Sequence, residues 1–266
     1  MLLIKASKKC YKVSISRMKG KQMRNSIEIF GIPIDNLNME EAMDRFKELL
    51  KKDRMSSIYT PNTEIIMLSE TDEKLKDALL NSQLNVPDGF GIVLASRIHR
   101  MGIKGKVAGI DMMEQILKYL NYTKKSIYIL GAKPEILAAS ISEIQNNYPC
   151  ISVKDSHHGY FNEEQEKEII KRINELKPDV LFVALGAPKQ EKWIHEHKHQ
   201  LNAKIAMGVG GSLDVMSGAA KRAPKAMVDM GLEWLYRLAK EPWRFNRMLV
   251  IPKFLLKVML TRDISK

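Results

Sequence analysis

The sequence predicts a doubly wound, Rossmann-like α/β domain, a mostly parallel sheet with helices on both faces, followed by a C-terminal helical appendage. Three observations carry this. Short apolar runs alternate with helical patterns of about 10–15 residues, the spacing of right-handed βαβ crossovers. Glycines recur directly after those runs, at Gly131, Gly186 and Gly208-Val-Gly210-Gly211. From Asp229 onward the alternation stops, and a helical stretch rich in Trp, Leu, Met and Phe is interrupted only by Pro242 and Pro252.

In chain order, residues 1–24 are basic and without a sustained period. They read as a disordered extension, or as sequence upstream of a true start at Met18 or Met23. Ile27 to Ile34 reads as the first strand. Asn38-Met-Glu-Glu opens a helix to about Lys51, with Asn38 as N-cap and Glu41 completing a capping box. Ser57-Ile-Tyr-Thr60 is a short strand, followed by helices over 63–69 and 72–82. Leu84-Asn-Val is a strand ending at Pro87-Asp88-Gly89, Phe90 to His99 a helix, and Gly109-Ile-Asp111 the start of a helix to about Tyr122. Strand 126–130, helix 135–147, strand 151–154 and helix 163–176 follow. Strand 179–185 breaks at Gly186, and Pro188 opens helix 189–198, Pro being suited to a first helical turn. Strand 204–208 ends the core, which gives three segments: an extension over 1–24, a core over 25–228 and an appendage over 229–266.

Composition excludes several classes. With 45% hydrophobic and 28% charged residues the chain is an ordinary globular protein. Two cysteines, Cys10 and Cys150, make no disulfide framework. No run of eighteen apolar residues suits a bilayer span. The net charge of +12 is concentrated at the ends: residues 1–25 carry eight Lys/Arg and no acid, and residues 217–266 carry eleven Lys/Arg and four acids. A nucleic-acid enzyme spreads its basicity along the binding face of its core. Basic ends around a near-neutral middle suit an anionic membrane surface instead.

Candidate chemistry gathers at the strand ends. The junction Pro178 to Trp193 leaves free backbone N–H groups and a positive helix end at the carboxyl edge of the sheet, where a phosphate is favoured; a tight β-to-α connection without ligand is the alternative. Lys189 and Gln190 lie in the first turn of that helix. Asp88 suits a general base or, alternatively, an N-cap for the helix from Phe90, and Asn62 likewise suits a cap. Gly89-Phe-Gly91 follows a strand too short and polar for a dinucleotide fingerprint. His157-His158 has no third metal ligand at suitable spacing, and no Asp-x-Asp occurs to hold a divalent ion. A diphosphate would then be met by Arg, Lys and helix N-termini. Arg237, Lys240, Arg244 and Arg247, spaced three, four and three apart, fall on one helix face and supply such cations, or else form a solvated face.

Together these stretches resemble the WecG/TagA/CpsF glycosyltransferase family. The resemblance rests on Thr60-Pro-Asn62-Thr-Glu64, Pro87-Asp88-Gly89, Lys106-Val-Ala-Gly109-Ile-Asp111, Ile129-Leu-Gly131, His158-Gly159-Tyr160-Phe161, Gly186-Ala-Pro188-Lys-Gln190-Glu-Lys-Trp193, Gly208-Val-Gly210-Gly-Ser-Leu-Asp214 and Arg222-Ala-Pro224. Trp234, Arg237, Glu241-Pro242, Arg244 and Arg247 continue it into the tail. It implies an inverting, metal-independent transferase without a cofactor, moving an N-acetylmannosamine-type sugar from a UDP donor to a polyprenyl-diphosphate-linked N-acetylglucosamine. The same resemblance implies Asp88 as the base, with Thr60 and Asn62 beside it and Gln190 in the same pocket. Lys106, Asp111, Gly131, Gly186, Gly210 and Gly211 would bind substrate, and Arg237, Arg244 and Arg247 would reach the diphosphates when the tail docks at the membrane. Lys106 departs from the arginine usual in the family, keeping the charge but losing bidentate geometry, and Thr63 departs from a frequent proline. The implied setting is cytoplasmic, peripheral on the inner face of the cell membrane, with a lipid-linked precursor as acceptor partner, homo-oligomerisation allowed and no nucleic acid. Other UDP-sugars, such as N-acetylmannosaminuronic acid or glucose, are the alternative donors. A non-catalytic binder of nucleotides or polyanions is the alternative outside enzymes, and a nicotinamide-dependent oxidoreductase is opposed by the poor fingerprint.

Overall fold

The structure is a computed structural model describing residues 25–240, 242 and 245–265, without the side chains of 229, 237, 246 and 247. Its centre is a six-stranded sheet, parallel throughout, of β3 (Ser56–Tyr59), β4 (Leu84–Asn85), β5 (Ser126–Gly131), β6 (Ser152–His157), β7 (Val180–Ala184) and β8 (Ile205–Gly208). The spatial order is β4-β3-β8-β7-β5-β6. Alternate side chains on each strand enter opposite layers, as the two-residue period of a strand requires. Ile127, Ile129, Val180, Phe182, Ile205 and Met207 pack on one face, and Tyr128, Leu130, Leu181, Val183 and Ala206 on the other.

The first layer receives α1 (Met39–Leu50), α5 (Gly109–Thr123), α6 (Pro134–Asn147) and α9 (Ser212–Met216). The second receives α2 (Thr63–Ser69), α3 (Glu73–Leu80), α4 (Phe90–Ile98), α7 (Glu163–Leu176) and α8 (Lys189–His197). After β5 the chain crosses through α6 to β6 on one side; after β7 it crosses through α8 to β8 on the other. The loops diverge there, opening a crevice at the carboxyl ends of β5 and β7.

The expected capping box is present. Asn38 Oδ1 accepts the Glu41 N–H and Glu41 Oε2 accepts the Asn38 N–H, both at 2.9 Å. Asn38→Ala is expected to cost about 1 kcal/mol, read as a lower urea midpoint with an unchanged slope. The expected strand 27–34 is corrected: it is an antiparallel hairpin of β1 (Ser26–Ile29) and β2 (Ile32–Asp35). Phe30 and Gly31 both take left-handed backbone, with φ of 49° and 74°, and reverse the chain where the unbroken apolar run hides a turn.

The C-terminal segment contains α10 (Lys225–Asp229), α11 (Glu233–Lys240), α12 (Phe245–Met248) and α13 (Val250–Leu260). It does not stand apart from the core over its whole length. Phe254 and Val258 of α13 are fully buried, and Phe254 meets Phe30 edge-on at 5.8 Å between ring centres. The Phe30 N–H also donates to the Ile264 carbonyl at 2.7 Å. The outer side exposes Leu235, Phe245, Leu249, Leu256, Met259 and Leu260. No helix among the described residues is long and apolar enough to cross a membrane.

Candidate active site

The predicted residues of the core come from loops distant in sequence and lie at the carboxyl edge of the sheet. On the β3/β4 side, the Val86 N–H donates to the Tyr59 carbonyl at 3.0 Å and the Asp88 N–H to the Pro61 carbonyl at 3.1 Å. These bonds carry the parallel pairing past the strand ends and set Asp88 beside Thr60–Asn62. The Val107 N–H, donating to the Pro87 carbonyl at 2.8 Å, brings the 106–111 segment alongside. A Cβ on Gly109 would stand 3.2 Å from Thr60 Cγ2 and Oγ1, so α5 begins directly against Thr60. Thr60, Asn62, Asp88 and Lys106 thus belong to one wall.

Asn62 is an N-cap: its Oδ1 accepts the Ile65 N–H at 3.0 Å, which fixes the side chain at the start of α2. The N-cap of α4 is Gly89 rather than Asp88.

Lys106 and Asp111 are tied to the C-terminal part of the chain. Lys106 Nζ lies 2.9 Å from Glu233 Oε2 of α11, with both side chains about one-fifth exposed. Arg222 grips Asp111 with two parallel bonds of 2.6 and 2.8 Å. This bidentate pairing, the largest cause, holds the Arg222 pKa above its ordinary value. Arg222 stands within the motif Arg222-Ala-Pro224, yet nothing in its spacing announced that it would close over Asp111 from more than a hundred residues away.

On the β7/β8 side the glycines have steric causes. Gly131, at φ +125°, ends β5 where a Cβ would lie 2.4 Å from the Ala184 carbonyl carbon and oxygen, so no other residue lets β5 and β7 close there. Gly186 also lies at positive φ, and Pro188, preceded by a cis peptide bond, takes the N-cap position one residue before α8. Gln190 is buried, and its Oε1 accepts the Gly210 N–H at 3.0 Å. A Cβ on Gly208 would stand 2.8 Å from Gln190 Nε2, so the glycine lets the amide lie against the backbone. Gly211 follows as the N-cap of α9. Lys189 Nζ lies over the Phe161 ring at 5.3 Å.

One residue without an assigned role is prominent. Glu191 is fully buried, and burial, the largest cause, pushes its carboxyl up to about 7; the nearby Glu64 carboxylate pushes the same way. The signal was its place in α8, three residues before the core residue Ile194. Arg237, Arg244 and Arg247 lie outside the described residues in their side chains, and Arg244 entirely.

Among the described residues no group of three or more His, Cys, Asp or Glu side chains is placed to hold a metal ion. A surface hollow of about 820 Å³ between β6 and α7, lined by Asp155, His157 and Arg172 among others, contains none of the predicted residues. Its main charges pair with each other, Arg172 Nε lying 2.8 Å from Asp155 Oδ2.

A fully parallel sheet, helices on both faces and polar side chains gathered with glycine loops at its carboxyl edge define a doubly wound α/β protein, a class in which ligands bind at that edge. The chain belongs to the glycosyl transferase WecG/TagA/CpsF family, which it matches over residues 27–265. It is 37% identical over 233 residues to an N-acetylglucosaminyldiphosphoundecaprenol N-acetyl-beta-D-mannosaminyltransferase of Bacillus subtilis strain 168, covering 87% of this chain and 90% of that protein. Proteins of the same name from Staphylococcus aureus strains MW2 and MRSA252 are 34% and 35% identical over 234 residues, covering 87% of this chain and 91% of each.

Proposed function

We propose that this glycosyltransferase moves N-acetylmannosamine from UDP-N-acetylmannosamine to undecaprenyl-diphosphate-linked N-acetylglucosamine, forming the linkage disaccharide of wall teichoic acid. The observation that carries the reading is the meeting of Thr60, Asn62 and Asp88 on one wall in a chain 37% identical to a transferase of that specificity. The Asp88 carboxylate takes the proton of the acceptor hydroxyl as its oxygen bonds to the anomeric carbon. The bond from that carbon to the UDP oxygen breaks on the opposite face, so the configuration inverts. Thr60 and Asn62 orient the reacting groups beside Asp88.

The leaving UDP develops negative charge, and preorganised donors lower that barrier. Lys106 and the 186–190 and 208–211 loops supply cationic and N–H donors, and Asp111 orders the wall through Arg222. For Lys106 to reach a diphosphate it must exchange Glu233 for the substrate, so α11 moves with binding. Arg237, Arg244 and Arg247 of the tail complete the charge clamp at the membrane. An acceptor with a polyprenyl chain stays in the bilayer, so the enzyme works peripherally on the cytoplasmic face of the membrane. The exposed apolar residues of α11 to α13, set in a basic segment, suit the headgroup region.

The test is UDP release from UDP-N-acetylmannosamine with a short-chain lipid-diphosphate N-acetylglucosamine acceptor, in EDTA. Turnover that requires the acceptor and persists in EDTA is the expected result. Turnover only with UDP-glucose or UDP-N-acetylmannosaminuronic acid would overturn the donor assignment. Loss in EDTA, restored by a divalent ion, would overturn the metal-independent route.

A further inference from the structure

Glu191 is a buried carboxyl group to which the transfer reaction assigns no step. It joins the two walls of the pocket. Its Oε1 accepts Gln190 Nε2–H at 2.8 Å, and the same amide, through Oε1, accepts the Gly210 N–H at 3.0 Å. Its backbone carbonyl accepts the Tyr59 hydroxyl at 3.2 Å, and Tyr59 is the residue before Thr60. Gln190 is fastened on one side and the end of β3 on the other.

The surroundings favour a neutral acid. No side chain of β7 (Val180–Ala184) or β8 (Ile205–Gly208) is titratable, so neither strand offers a counter-charge. From β3 the facing titratable group is Tyr59, and from α2 it is Glu64, whose charge opposes ionisation of Glu191. On α3, Asp72 is taken up by Lys192 and Asp77 by His195, both at 2.7 Å. Glu191 Oε2 is buried with no hydrogen-bond partner among the described residues, so a carboxylate there would hold a buried charge met only by hydrogen bonds from the Gln190 amide and its own backbone N–H. The raised pKa of the group agrees with this environment.

We propose that Glu191 is a positioning residue, held as the neutral acid, that locks the Gln190 amide and the Gly210 loop in register with the Thr60–Asn62 wall. The inference rests on the reading that this pocket takes the UDP-sugar. When Glu191 loses its proton, the Gln190 hydrogen bond becomes charge-assisted, but the buried charge repels Glu64 and draws water toward α8, so the Gln190 amide shifts out of register with the catalytic side.

The experiment follows the ¹⁵N–¹H resonances of the Gln190 side-chain amide, assigned by their loss in Gln190→Ala, from acid to alkaline pH. It runs in parallel with kcat and donor KM for wild type, Glu191→Gln and Glu191→Ala. In wild type the amide shifts titrate near neutral pH, and donor KM rises about tenfold across the same range, the size expected when one buried polar contact is displaced. In Glu191→Gln, which keeps an oxygen acceptor but cannot ionise, the amide shifts stay flat and the alkaline rise in KM disappears. Glu191→Ala raises donor KM by about tenfold at every pH. A flat Gln190 amide in wild type overturns the proposal, as does a wild-type KM profile in Glu191→Gln. The amide measurement needs no turnover: a titrating amide without transfer from any UDP-sugar sinks the functional reading alone, and transfer with a flat amide sinks the positioning role alone.

Discussion

Asp88→Asn is expected to lower kcat by about 10²–10⁴-fold, the range by which a positioned general base accelerates proton transfer. Asn keeps the shape of the side chain but cannot take a proton from the acceptor. The loss should fall on kcat rather than on folding, because backbone bonds hold this residue in place. The Asp88 N–H donates to the Pro61 carbonyl, and the flanking Pro87 carbonyl accepts the Val107 N–H. UDP affinity by calorimetry and the thermal midpoint should therefore match wild type while turnover collapses. Full activity in Asp88→Asn would place the base elsewhere on the wall. Loss of UDP affinity equal to the loss of rate would mean that Asp88 binds substrate rather than takes its proton.

The second large effect concerns stability and pH. Glu191 titrates at about 7 in the folded chain against an ordinary 4.5, with burial as the leading cause. Between these values the folded state holds a proton that the unfolded state has released, so raising the pH pulls the equilibrium toward unfolding. The contribution of Glu191 is fully present below about 4.5, is lost as the pH climbs to about 7, and changes no further above that. At about 1.4 kcal/mol per unit the loss amounts to about 3 kcal/mol. Asp72, Asp155 and Asp179 have lowered values, so their linkage runs in the opposite sense and falls at more acidic pH. Urea midpoints of wild type and Glu191→Gln measured from about pH 4.5 to about pH 7 isolate the buried group. The wild-type midpoint should fall as pH rises while that of Glu191→Gln stays nearly level, and parallel curves would show that Glu191 is ionised throughout.

What could be read directly was what local chemistry dictates. The parallel sheet followed from apolar runs spaced by helical patterns, because a strand buried on both faces must be apolar on both, as Val180–Ala184 is. The α1 start was legible because a capping box involves only residues three apart. The Phe30-Gly31 turn was hidden inside an apolar run, since Phe seldom takes left-handed backbone and gave no turn signal. The motifs bearing Thr60, Asn62, Asp88 and Gln190 could be listed as candidates, and their order along the chain pointed to a family. Their meeting on one wall, however, depends on hydrogen bonds between β3, β4 and the 106–109 segment.

The partners of the charged groups belong wholly to the tertiary structure. Lys106 finds Glu233 and Asp111 finds Arg222 across more than a hundred residues, and α13 returns to cover Phe30 and α4 rather than standing apart. Glu191 shows the division most sharply. In the sequence it is one glutamate in a polar helical turn, and its neighbours in the chain are a glutamine and a lysine. Only the packing of α8 against α3 and the strands β3, β7 and β8 removes it from water. A carboxyl group's proton affinity is set by the solvent and charges around it, so residue identity determined that a carboxyl stands at position 191, and the fold decided that it keeps its proton near neutral pH.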